Sequence, residues 1–105
     1  MKDKNFLALD LELNQPSNRI IQVGVAIGNA LQSEEEYVVK KWYLDPYEPI
    51  AENITALTGI TDYDIGTYAV SHEFMAQELG ALITEYNCFV NPVTWGGGDS
   101  VELLK

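Results

Sequence analysis

Leucine recurs at every second position from Leu7 to Leu13, and Phe6, Ala8, Asp10 and Glu12 fill the positions between. Successive side chains of a strand point to opposite faces, so this period of two predicts a strand over Phe6–Leu13 with its leucines on one side. Turn formers follow at Asn14, Pro16, Ser17 and Asn18. Alternation resumes over residues 19–28, where Ile21, Val23, Val25 and Ile27 share a face. A polar connection closed by Glu34, Glu35 and Glu36 leads into a third strand over residues 37–44. Three strands in succession predict an antiparallel meander. Pro46 and Pro49 end the sheet segment, and residues 51–58 read as a short helix with Gly59 at its C-cap. Met75, Leu79, Leu82, Ile83 and Tyr86 then recur at three- and four-residue intervals, which predicts a longer helix over residues 71–86. Residues 88–95 read as a fourth strand, and Asp99 or Ser100 opens a further helix that has only begun by Lys105.

Strands, helices and a returning strand make an α/β chain with a mixed sheet. The fourth strand is expected beside Phe6–Leu13 and parallel to it, because a helical crossover separates the two. No repeat or linker divides the 105 residues, so one domain is expected, incomplete at its C-terminal end.

Composition narrows the class. The chain is 47% apolar, which fits a globular protein, and no apolar run is long enough to span a membrane. Residues 1–5 precede no signal-peptide core, and the single cysteine, Cys88, excludes an internal disulfide framework; a cytoplasmic location is expected. The net charge is −10, and the six basic residues form no run. Affinity for long duplexes draws on phosphate neutralisation by basic side chains, so this balance argues against autonomous duplex binding. It argues less against an enzyme that recruits divalent cations and grips a chain end.

Asp10 and Glu12 carry the most chemistry. Two apart on a strand, their carboxylates leave one face about 7 Å apart along the chain. A strand apolar on both sides belongs inside a sheet, where two neighbouring anions repel and lose solvation. A divalent cation relieves both costs, and carboxylate oxygens suit magnesium and manganese. The plainer reading is a strand with a solvated face on which both acids are ordinary surface residues.

The context of the pair resembles the opening of the DnaQ-like (DEDD) 3′→5′ exonucleases. The run from Phe6 to Glu12 and the stretch Arg19-Ile20-Ile21-Gln22-Val23-Gly24-Val25-Ala26 carry this likeness. Pro49-Ile50 and Thr55-Ala56-Leu57-Thr58-Gly59-Ile60-Thr61 are similar to the family's helix ending in Gly-Ile, and Trp95-Gly96-Gly97-Gly98-Asp99 is similar to its second motif. The resemblance implies a ribonuclease-H-like fold and release of nucleoside monophosphates from DNA or RNA 3′ ends. It implies Asp10, Glu12 and Asp99 as catalytic carboxylates holding two Mg²⁺ or Mn²⁺ ions. It also implies Leu13 and Ile60 as residues near the terminal nucleotide. Single-stranded 3′ ends are the expected partners, with no membrane, and a homodimer is a further expectation. The family's fourth aspartate and its general base find no counterpart after Asp99, so impaired activity is expected of this chain. A catalytically inactive nuclease-like module, binding a partner protein or a nucleic-acid end, is the alternative. A domain whose carboxylates hold structural calcium is a third.

Several residues have plainer roles. Asp99-Ser100-Val101-Glu102 has the form of a helix N-cap with a reciprocal acid. Gly96–Gly98 lacks a following lysine and reads as a turn, not a phosphate cradle. His72 reads as a surface residue, Cys88 as a small buried hydrophobe, and Trp42 and Tyr43 as cross-strand packing.

Overall fold

In the computed structural model, the described residues are 5–29, 31–88 and 93–94, with backbone alone for 34, 93 and 94. Alternation builds the sheet. β1 (Phe6–Leu13) and β2 (Ile20–Gly28) pair antiparallel from Phe6↔Gly28 to Glu12↔Gln22. Then Leu13 pairs with Ile20, so Ile21 is an extra residue and the ladder bulges. β3 (Val38–Leu44) extends the meander antiparallel to β2, from Gln22↔Tyr43 to Ile27↔Val38. The glutamate run Glu34–Glu36 forms a single 3₁₀ turn before it.

The expected return strand lies where crossover geometry puts it. β5 (Val93–Thr94) pairs parallel with β1 at Ala8 and Leu9, and an isolated parallel bridge joins Asn5 to Cys88. Residues 89–92 and 95, part of the same expected strand, lie outside the described residues. A two-residue strand, β4 (Ala69–Val70), adds parallel to β3. The order is β4-β3-β2-β1-β5, which leaves β1 inside the sheet. The α/β fold with a mixed sheet is thus observed.

Two cores form. Leu7, Leu9 and Leu11 meet Val23, Val25, Ile27, Trp42, Leu44 and Cys88 in the first. Helix α3 (His72–Glu85) closes over it with Met75, Leu79, Leu82 and Ile83, and Tyr86 joins them from its C-cap. Each buried aliphatic side chain contributes about 1.5–3 kcal/mol, so this leucine face is a main source of stability. Ser71 caps α3 by accepting the Phe74 N–H. Glu78 fastens the helix to the sheet: it accepts the Trp42 indole N–H at 2.7 Å and lies 3.7 Å from the Lys40 ammonium.

The second core joins Ile21 to Ile50, Ile54, Ile60 and Ile65. It is built by α1 (Glu52–Thr58) and α2 (Asp62–Tyr68). Gly59 ends α1 in the left-handed region at φ 80°, where a side chain would be strained, and its N–H reaches the Thr55 carbonyl. Helix α2 starts on a reciprocal cap between Thr61 and Asp64. Neither α2 nor β4 follows from hydrophobic period. Among the described residues, no helix is long and apolar enough to cross a membrane.

Candidate functional site

Because β1 is an interior strand, its second face is continued by its neighbours. Asp10 lies opposite Gly24 of β2, and Gly24 lies opposite Lys41 of β3. One step along, Glu12, Gln22 and Tyr43 form a second row. On the other side of the first row, Ala8, Ala26 and Val39 form a third. Asp10 and Glu12 are both half-buried and share this face, as the period of two predicts. Val39 is 63% exposed, and Phe6 is also exposed, so part of this face meets solvent.

Gly24 keeps the floor of the face low. A Cβ built there would lie 3.7 Å from the Asp10 carbonyl oxygen and 4.0 Å from Cγ of Lys41. The start of the lysine stem therefore lies beside the glycine, within van der Waals reach of that position.

Hard carboxylate oxygens on one half-buried face fit a magnesium or manganese ion, which takes one or two protein carboxylates and keeps several waters. Among the described residues no group of three or more His, Cys, Asp or Glu side chains is placed to hold a metal ion. Asp99 lies outside the described residues, as do Trp95–Gly98 and the capping sequence after it. Of the three expected carboxylates, Asp10 and Glu12 are the two within the described residues, and they share one face.

The two expected substrate contacts sit in different surroundings. Leu13 is half-buried and packs against the first core beside Glu12. Ile60 is 3% exposed and belongs to the second core. His72 is exposed at the start of α3, and Cys88 is buried, which pushes its thiol pKa up. Trp42 is buried on Glu78, and Tyr43 packs 6.4 Å from Tyr68 between ring centres.

A polar lock that the sequence does not announce follows the acidic strand directly. Asn14 is 1% exposed. Its amide donates to Glu48 Oε2 at 2.6 Å and to the Pro49 carbonyl at 2.9 Å, and accepts the Ala51 N–H at 2.9 Å. Ser17 also donates to Glu48 Oε2, and Arg19 Nε lies 3.6 Å from Glu48 Oε1. The one signal available was Asn14 itself, an amide between an interior strand and a turn.

These partners hold the Glu48 carboxyl below the usual glutamate pKa, through the Ser17 hydrogen bond first, then that of Asn14 and the Arg19 charge, against the opposing effect of desolvation. A lowered folded-state pKa stabilises the fold above the unfolded value of about 4.3, and that contribution vanishes as pH falls through the folded value. The melting-temperature difference between wild type and Glu48→Gln is therefore expected to hold constant above about pH 5 and to shrink on acidification. Thermal melts across that range measure it, and a difference that grows toward acid pH contradicts the lock.

No family model matches the chain, and no curated protein matches it either.

Proposed function

We propose that this chain carries the metal-binding half of a 3′→5′ exonuclease site, in a DnaQ-like (DEDD) domain of ribonuclease-H-like architecture. The observation that carries the reading is the carboxylate pair: Asp10 and Glu12 sit half-buried on one face of an interior strand. Two acids set two apart on such a strand repel and lose solvation, and a shared divalent cation offsets both costs.

On this reading Asp10, Glu12 and Asp99 hold the Mg²⁺ or Mn²⁺ ions, which supply charge neutralisation at a phosphodiester and an activated water. The chain's own residues then do three things. Asp10 and Glu12 fix the ion against a rigid strand whose opposite face is locked in the leucine core. Leu13, packed against the first core, anchors the end of that strand beside Glu12. Gly24 leaves room over the sheet for a phosphate to approach. The acidic balance suits a site that grips one chain end and not a long duplex. A single-stranded DNA or RNA 3′ end is the proposed substrate.

The test titrates Mn²⁺ into wild type, Asp10→Asn and Glu12→Gln, followed by solvent-proton relaxation, with cleavage of a 5′-labelled single strand assayed in parallel. Wild type is expected to bind Mn²⁺, and each variant to bind it at least about tenfold more weakly, as loss of one charged ligand implies. Slow release of nucleoside monophosphates that disappears in Asp10→Asn supports the enzyme. Mn²⁺ bound at Asp10 with no cleavage of any end favours the inactive binding module. Equal Mn²⁺ binding by all three proteins sinks the metal site and the exonuclease with it.

A further inference from the structure

We infer that Lys41 is the phosphate-binding residue of this site: its ammonium, reaching across Gly24, holds an oxygen of a metal-bound nucleotide phosphate beside Asp10. The inference rests on the metal-site reading above and adds the chemistry of its ligand.

Geometry supplies the first support. Asp10, Gly24 and Lys41 are successive partners across three strands. Neighbouring strands stand about 4.8 Å apart, so the two end residues are separated by roughly 10 Å at their Cα atoms. A four-carbon stem leaning inward brings the ammonium over the middle of that gap. The Lys41 stem starts beside this gap, with its Cγ 4.0 Å from the Cβ position of Gly24. Glycine in the middle leaves the gap clear. An ion held by Asp10 on one side and an ammonium on the other define a space for a tetrahedral anion between them.

The remaining cations supply the second support. The described residues include three basic side chains. Arg19 donates to the Pro46 carbonyl at 2.6 Å and pairs with Glu48. Lys40, on the opposite face of β3, pairs with Glu78 and lies 5.9 Å above the Trp42 ring. Lys41 is exposed and makes no ion pair among the described residues. Among the described cations of this chain of net charge −10, the one with no ion pair is thus the one in line with Asp10.

Charge then selects the ligand. A lysine in the row repels a bare divalent cation, which the carboxylates alone would attract. The same lysine attracts a cation that arrives with a phosphate, and lysine binds phosphate as a point charge. Mixed sign favours the complex over the ion.

Calorimetric titration of deoxyadenosine monophosphate, in saturating Mn²⁺, tests this on wild type, Lys41→Gln, Lys41→Arg and Lys40→Gln. Lys41→Gln is expected to weaken the nucleotide roughly tenfold, the size of one charge-assisted hydrogen bond at an accessible site. Its Mn²⁺ affinity in the absence of nucleotide should stay equal or rise. Lys41→Arg should keep most of the nucleotide affinity, and Lys40→Gln all of it. Unchanged nucleotide affinity in Lys41→Gln overturns the inference, and so does an equal loss in Lys40→Gln. Wild type that binds Mn²⁺ but no nucleotide overturns it while leaving the metal site standing. Wild type that binds no Mn²⁺ overturns both.

Discussion

Asn14→Leu is expected to lower stability by about 2–4 kcal/mol, although it replaces one branched side chain with another and leaves every catalytic candidate in place. The buried amide satisfies Glu48, Pro49 and Ala51 at once. Leucine strands the Ala51 N–H and the Pro49 carbonyl, and each buried unpaired group costs about 1–3 kcal/mol. Pro49 is exposed and Ala51 half-buried, so water recovers part of this, which sets the lower bound. For a chain of this size the loss corresponds to a fall in Tm on the order of 10–20 °C. Asn14→Asp separates the causes. It keeps the acceptor for Ala51 but places a second carboxylate against Glu48, and like charges raise the pKa of the pair. Groups with raised folded-state values stabilise below the unfolded pKa and lose that contribution as pH rises. Asn14→Asp is therefore expected to recover toward wild type as pH drops to about 4, whereas Asn14→Leu does not. Urea titration at two pH values reads both effects. A leucine variant as stable as wild type would mean that the lock contributes nothing.

Leu9→Ala is the second large effect. Leu9 is 1% exposed at the centre of the leucine face, and truncating a leucine there costs about 2–5 kcal/mol through lost burial and the cavity left behind. Leu57, 80% exposed on α1, is the control, with a change within about 0.5 kcal/mol. Denaturant midpoints compare the two. If they fall by similar amounts, the strand faces are assigned the wrong way round. That error would also put Asp10 and Glu12 in the core, so the stability measurement bears on the site.

What could be read from the sequence follows from how many residues each signal spans. Helix α3 and its C-cap offer five apolar positions at helical spacing, and those side chains pack where the period places them. β1 and β2 alternate over eight and nine residues, enough to fix both faces. Helix α2 has seven residues and one buried side chain, Ile65, so it has no period to detect. Its signature was chemical: Thr61 and Asp64, three apart, form the reciprocal cap. β4 is two residues long, too short for alternation to exist. Ile21 shows a different failure. It continues the run of Val23, Val25 and Ile27 by spacing, yet the bulge assigns it to the second core. For the site, period two brings Asp10 and Glu12 together, but it says nothing of Gly24 and Lys41, because strand register is set by contacts distant in sequence.

The shortness of β4 has a consequence for how copies of this chain meet one another. It covers only Tyr43 and Leu44 of the outer edge of β3, so among the described residues the edge along positions 38–42 has no neighbouring strand. Such a row of free backbone groups is a template on which a second chain can stack and aggregate. Lys40 and Lys41 stand in the middle of it, one toward each face of the sheet. Two such edges brought together would set lysine against lysine on both sides, and like charges opposed across a strand pair are unfavourable. The lysine pair is a gatekeeper for solubility. Any substitution there chosen to probe chemistry also loosens the guard against self-association.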